Sequence, residues 1–177
     1  MQTFSLSKKV IVVSGGTGYV GSSVGKVLSE SGASIALLYH AASEEKVTAT
    51  LNSFTGDMHR AYVCDLEDES AVIRTLETIE KEQGVIYGCV HTAAGKPLRK
   101  KFVDTPKEDF NKQVSATLAT SFNLLRHIGK RVQLQREGVI IAITTAGVVV
   151  PEATVSLGAY TAAKYGVQGM LTMLKEE

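Results

Sequence analysis

The sequence predicts a doubly wound α/β fold, a parallel sheet of strand order 3-2-1-4-5 with helices on both faces. Five short apolar runs alternate with segments of helical period, so each strand is followed by a helix able to cross back over the sheet. Directly behind the first run stands a cluster of glycines, the turn that such sheets place between strand and helix. Ligands of these sheets bind beyond the carboxyl ends of the strands, where the winding reverses between strands 1 and 4.

The elements follow in order. Val10–Val13 is mostly β-branched and suits a strand buried on both faces. Tyr19–Ser31 has apolar residues at Val20, Val24, Val27 and Leu28, which is helical spacing, and Gly32 stops it. Ser34–Tyr39 is a second strand, and Ser43–Phe54 a second helix with Ser43 as N-cap and Glu44 and Glu45 in its first turn. Arg60–Cys64 is the third strand, after which Asp65-Leu66 leads to a helix from about Glu67 to Gln83, closed by Gly84. Val85–His91 is the fourth strand, and Thr92-Ala93-Ala94-Gly95 is its small-residue exit. Lys96–Thr105 is polar, basic and irregular. Pro106 then suits the first turn of a helix capped by Thr105 that runs to about Val132. Its stripe of Phe110, Val114, Leu118, Phe122, Leu125 and Ile128 is expected to cover the sheet. Val139–Thr144 is the fifth strand, Ala146–Leu157 a loop, and Ala159 onward a helix. With no internal repeat or linker, residues 1–177 read as one domain.

Composition removes several classes of function. A net charge of +1 gives no field for nucleic acid or a membrane surface. No apolar run is long enough to span a bilayer, and the first residues lack the apolar stretch of a signal peptide, so a soluble, cytoplasmic protein is expected. Cys64 and Cys89 each end an apolar run, as buried structural thiols do. His59, His91 and His127 stand in separate elements as core or surface histidines, and no metal site is expected.

Two constellations carry chemistry. Gly16, Gly18 and Gly21 fit G-x-G-x-x-G, and Gly15 frees one more residue of Cβ. Such a turn lets the backbone approach a pyrophosphate, while the following helix offers free N–H groups and the positive end of its dipole. Sixteen glycines make chance matches easy, and the weight comes from the position between strand and helix. In Tyr160-Thr-Ala-Ala-Lys164 the ends share one helix face. A free phenol titrates near pH ~10, and an adjacent ammonium favours phenolate, moving the group toward acid-base work at neutral pH.

Taken together, these features resemble the short-chain dehydrogenase/reductase family, over essentially the whole chain. Ser14-Gly15-Gly16-Thr17-Gly18-Tyr19-Val20-Gly21 looks like its cofactor turn, best in the extended branch's T-G-x-x-G-x-x-G form with Ser14 in place of Thr. Asp65-Leu66 resembles the pair that contacts adenine, Thr92-Ala93-Ala94-Gly95 the N-N-A-G or N-A-A-G segment, and Tyr160/Lys164 the active-site pair. The resemblance implies a Rossmann fold and an NAD(P)-dependent oxidoreductase acting on a small-molecule carbonyl or secondary alcohol. In it Tyr160 exchanges a proton with the substrate oxygen, and Lys164 depresses the phenol pKa and binds the nicotinamide ribose. Counted from Gly138 without gaps, Thr145 falls on the family's active-site serine, with Thr144 as the neighbouring hydroxyl. The family's long helix and its last helix also imply a homo-oligomer, dimer or tetramer.

At the end of the second strand, Tyr39-His40 takes the place of the acid that would accept a ribose 2′-OH, which favours NADP and leaves NAD possible. The cofactor-binding set is therefore Gly15, Thr17, Gly18, Tyr19, Val20, Gly21, Tyr39, His40, Asp65, Leu66, Ala93, Ala94 and Gly95, together with Tyr160 and Lys164. Lys96, Arg99, Lys100 and Lys101 form a basic cluster beside it, read as a solvated loop ahead of the alternative, attraction of an anionic substrate such as a CoA or phosphopantetheine thioester. Thr117 stands where the family has the Asn of a proton relay, a Thr that can bond its own backbone at mid-helix. The chain also reaches Lys175-Glu176-Glu177 at the active-site helix, whereas relatives continue through a sixth strand, a lid and a seventh strand. The expectation is a domain incomplete at its C-terminus. A second reading, a nucleotide-binding subunit or sensor without turnover, stays open beside the first.

Overall fold

The computed structural model describes residues 5–177. Five parallel strands form one sheet in the order β3-β2-β1-β4-β5. They are β1 (Val10–Ser14), β2 (Ser34–Tyr39), β3 (Arg60–Val63), β4 (Ile86–His91) and β5 (Val139–Ala142). β1 and β2 are apolar at nearly every position because both their faces are covered, while β3 and β5 are the partly exposed edges. Ser14 pairs in register with Leu38 on one side and His91 on the other, so the ends of three strands lie level at the switch point.

The helices are α1 (Tyr19–Glu30), α2 (Glu44–Asn52), α3 (Glu69–Gln83), α4 (Lys107–Val114), α5 (Thr120–Gln135) and α6 (Gly158–Glu176). Ile11, Val13, Ile35 and Leu37 pack one face of the sheet against Val24 and Leu28 of α1 and Leu51 of α2. Val10, Val12, Ala36 and Leu38 pack the other against Val72, Leu76 and Ile79 of α3 and Leu124 and Ile128 of α5. α6 runs beside α4 and α5. Among the described residues, no helix is long and apolar enough to cross a membrane.

Several local expectations need correction. α3 starts at Glu69, two residues later than expected, because the Asp65 carboxylate accepts the Glu67 N–H and the Asp68 carboxylate caps the Ser70 N–H. Pro106 is itself the cap residue of α4, with extended ψ of 149°, and the Thr105 hydroxyl instead donates to the Lys101 carbonyl. β5 ends at Ala142, and residues 146–157 contain two 3₁₀ turns, Ala146–Val148 and Pro151–Thr154, too short to show a period.

The largest difference lies in the long helix. A π-turn, Ser115–Ala119, joins α4 to α5. The buried residues along this unit are Gln113, Thr117, Thr120, Ser121, Leu124, Leu125 and Ile128, so the face toward the sheet is polar in its upper half. Phe122 is half exposed, and Leu118 lies against Gly166 of α6. Much of the apolar stripe therefore faces the neighbouring helix or the surface. Apolar spacing alone missed this, because the buried polar residues here are satisfied by hydrogen bonds.

Candidate active site

The glycine turn is shaped by two close approaches. Gly15 has φ +65°, and a Cβ there would stand 2.9 Å from the Ala93 Cα and backbone N. A Cβ on Gly21 would meet the carbonyl of Gly15. Both residues must lack a side chain for the turn to tuck under the exit of β4. Gly18 is the N-cap of α1, and the first intrahelical bond is Ser22 N–H to the Gly18 carbonyl. The N–H groups of Tyr19, Val20 and Gly21 thus precede the helical ladder at the positive end of its dipole.

In front of the turn lies a cavity of about 630 Å³. Gly15, Thr17 and Gly18 form its floor, with Tyr39 and His40 from β2, Asp65 and Leu66 from beyond β3, and Ala93, Ala94 and Gly95 from beyond β4 as walls. Backbone donors, a close glycine turn and an apolar slot are the features that a pyrophosphate and its nucleoside require. Tyr19, Val20 and Gly21 stand outside the lining, Tyr19 being exposed and Gly21 buried beneath Gly15. The sequence reading missed Leu38, Ala41, Cys64, Glu67 and Thr92 at the rim, and above all Ala116 and Thr120. These last two come from either side of the π-turn's end, a feature that small residues in a long helix do not announce. β2 itself ends at Tyr39-His40 without a carboxylate, but one stands beside it from beyond β3. Asp65 Oδ1 lies 3.8 Å from His40 Nδ1, while accepting the Glu67 N–H at 2.9 Å.

Tyr160, Lys164 and Thr145 lie outside that lining, where β5 runs into α6. Lys164 is 1% exposed, and its ammonium donates to the Ile143 carbonyl at 2.6 Å. The Ile143 N–H in turn donates to the His91 carbonyl, so the buried ammonium sits at the carboxyl end of the two strands beside the switch point. The Tyr160 ring, half-buried one turn earlier, has its centroid 5.8 Å from that Nζ. Burial pushes the phenol above its ordinary pKa and the ammonium below its own. The expected lowering of the phenol by Lys164 is therefore not what this arrangement gives, where desolvation raises it. Thr145, half-buried with extended backbone, precedes the 3₁₀ turn Ala146–Val148.

Thr117 is also not as expected. Its hydroxyl accepts from Gln113 Nε2 at 3.2 Å, and Gln113 Oε1 accepts the Leu98 N–H at 2.7 Å. The basic loop after β4 is therefore anchored: Gly95 N–H donates to the Ala116 carbonyl, Lys100 N–H to Ser156, and the Lys100 ammonium stands 3.7 Å from Asp109. The other histidines are satisfied, His59 by the Ile35 N–H and the Thr55 carbonyl, and His127 by Glu69 at 2.9 Å. Both cysteines are buried free thiols.

A parallel sheet of this winding, with a glycine turn and cavity at its switch point, defines a nucleotide-binding α/β protein. A family model described as enoyl-(acyl carrier protein) reductase matches residues 19–176, and the chain belongs to the short-chain dehydrogenase/reductase family. It is 28% identical over 169 residues to the 3-oxoacyl-[acyl-carrier-protein] reductase of Rattus norvegicus, covering 96% of this chain and 69% of that one. With the NADP-dependent mannitol dehydrogenase of Alternaria alternata it shares 23% over 178 residues, covering 98% and 66%. The crystal structure of gox2181 superimposes with a TM-score of 0.88 at 23% identity, over 97% of this chain and 67% of that one, which shows the fold. The chain spans between about half and about two thirds of the length of the curated relatives it matches.

Proposed function

We propose that the chain carries the cofactor site and the acid-base pair of an NADP-dependent oxidoreductase that interconverts a small carbonyl compound and its secondary alcohol. The observation that carries this reading is the placement of Lys164, a buried ammonium delivered to the strand ends with the Tyr160 ring one turn away. Burying an ammonium is costly, and its presence at a ligand-binding sheet edge points to chemistry there. Bound NADPH would supply hydride; the glycine turn and the start of α1 would hold its diphosphate, and Tyr39, His40, Asp65 and Leu66 its adenosine end. A preference for NADP over NAD is supported by the absence of an acid at Tyr39-His40 and by the cofactor in the name of the Alternaria relative.

Tyr160 is the proton donor to the developing alkoxide. Burial keeps the phenol protonated through neutral pH, the form needed for reduction. Thr145 supplies a hydroxyl at the exit of β5, where a substrate oxygen would be oriented. The expected oligomer forms through the groove between α5 and α6. A second reading, nucleotide binding without turnover, is favoured by Thr117, which stands in place of the family's relay Asn and accepts from Gln113 Nε2. Titrating NADPH by fluorescence and assaying a panel of ketoses, 3-oxoacyl thioesters and cyclic ketones separates them. The proposal expects binding and turnover in the wild type, with Tyr160→Phe keeping the binding and losing at least about a hundredfold in turnover. Equal turnover in Tyr160→Phe would remove the acid, and binding without turnover on every substrate would establish the second reading.

A further inference from the structure

His91 does not line the cavity, yet it joins the residues that do. It ends β4, opposite Ser14 at the end of β1, and Ser121 lies above both in α5; all three are fully buried. Its Nδ1 is 2.7 Å from Ser14 Oγ and its Nε2 is 2.8 Å from Ser121 Oγ. Ser121 Oγ donates to the Thr117 carbonyl at 2.6 Å, and Ser14 Oγ accepts the Ala93 N–H at 3.4 Å.

These contacts determine where the protons lie. Ser121 gives its proton to Thr117, so its oxygen only accepts from His91, and Nε2 carries hydrogen. A neutral ring then has a bare Nδ1, which accepts the Ser14 O–H and leaves the Ser14 oxygen for Ala93. Every donor points the same way, from the exit of β4 through Ser14, His91 and Ser121 into the π-turn. An imidazolium would break the chain, because its second N–H would donate to Ser14 Oγ and take away the acceptor that the Ser14 proton has in Nδ1. The charged group facing this ring is the Lys164 ammonium of α6, which also disfavours that state.

The chain is costly as packing alone, since three apolar residues would fill the same volume without desolvating an imidazole and two hydroxyls. What it does hold is the cavity wall. Ala93 abuts Gly15, the Thr92 hydroxyl donates to the Ser14 carbonyl at 2.6 Å, and Ala116 and Thr120 flank Thr117. We propose that His91 is a positioning residue of the cofactor site, which as the Nε2–H tautomer locks glycine turn, β4 exit and π-turn into one rigid wall. This rests on the dinucleotide reading given above.

The test compares the wild type with Ser121→Ala, Ser121→Thr and the triple variant Ser14→Ala/His91→Leu/Ser121→Val. NADPH affinity is read by fluorescence, stability by the urea midpoint, and the His91 tautomer by long-range ¹H–¹⁵N correlation without cofactor. The Nε2–H tautomer is expected in the wild type. Ser121→Ala, with an orphaned imidazole N–H, is expected to lose both stability and affinity. In the triple variant the midpoint returns to the wild-type value while NADPH binds roughly tenfold more weakly. Ser121→Thr, which keeps the hydroxyl, retains affinity and supplies the comparison should the triple variant not fold. Wild-type affinity in the triple variant or in Ser121→Ala, or an Nδ1–H tautomer, would overturn the positioning role. A wild type that binds neither NADPH nor NADH overturns the dinucleotide reading itself, and the role of His91 with it.

Discussion

His91 lies between two hydroxyls with no access to solvent, and that placement fixes its response to acid. Burial, with the Lys164 ammonium beyond it, lowers the imidazole pKa to about 3 in the fold, against 6.5 for an unperturbed ring. Between those values the unfolded chain binds a proton that the folded chain refuses. This contribution to stability is therefore complete above about pH 6.5 and declines as the pH falls toward 3, with a slope of at most about 1.4 kcal/mol per pH unit. Urea unfolding at pH 7, 6 and 5 should show the wild-type midpoint falling more steeply than that of His91→Gln, which has no titrating ring. Equal slopes would mean that the ring is not held neutral. Gly15 offers a second measurement. At φ +65° an alanine costs about 1–2 kcal/mol in backbone strain, and its Cβ would meet Ala93 at 2.9 Å. Gly15→Ala is expected to lower the unfolding free energy by at least that amount and to abolish NADPH fluorescence enhancement, because the turn can no longer lie beneath the exit of β4.

The π-turn is the element on which the site depends and the one hardest to see in the sequence. Ser115-Ala-Thr-Leu-Ala119 has the composition of ordinary helix. What distinguishes it is one tertiary bond and two local ones: Gly95 N–H donates to the Ala116 carbonyl, while the Thr120 and Ser121 hydroxyls, one turn on, donate to that of Thr117. Gln113 ties this turn to the loop after β4 through Leu98 and Thr117. Gln113→Leu strands those partners in a mostly buried place and should destabilise by about 1–3 kcal/mol, with faster amide exchange at Leu98. An unchanged exchange rate would show that the loop is held by other contacts. β1, β2 and β4 were legible because a strand covered on both faces must be apolar throughout, and the Ser43 cap was legible because its donor, Lys46, lies three residues away. Ten of the cavity-lining residues could be read from the glycine turn and the strand exits. The chain of Ser14, His91 and Ser121 could not, since its members are far apart in sequence and share no spacing. The start of α3 was misplaced for a local reason, two aspartates three residues apart competing to cap it.

At the scale of the whole molecule, the apolar surfaces left exposed among the described residues include a groove and a sheet edge. α5 and α6 enclose a groove of about 570 Å³ walled by Phe122, Leu125, Met170, Met173 and Leu174. At the edge of the sheet, Val139 and Ile141 of β5 are 47% and 48% exposed, and no strand pairs beyond them. Exposed apolar grooves and open edges both drive association. The edge is the weaker of the two, because β5 has only four residues and offers a short ladder. The groove is concave and carries methionines, whose flexible side chains adapt to a facing surface. Light scattering behind size exclusion should therefore report a wild-type mass above that of a monomer. Met173→Glu, which brings a carboxylate into the apolar contact, should shift it to the monomer, while Ile141→Lys leaves it unchanged. Both positions are exposed, so the unfolding free energy of the monomer should stay within about 0.5 kcal/mol of the wild type. The opposite pattern would assign association to the sheet edge, and a wild type that is monomeric at every concentration would remove the groove as an interface.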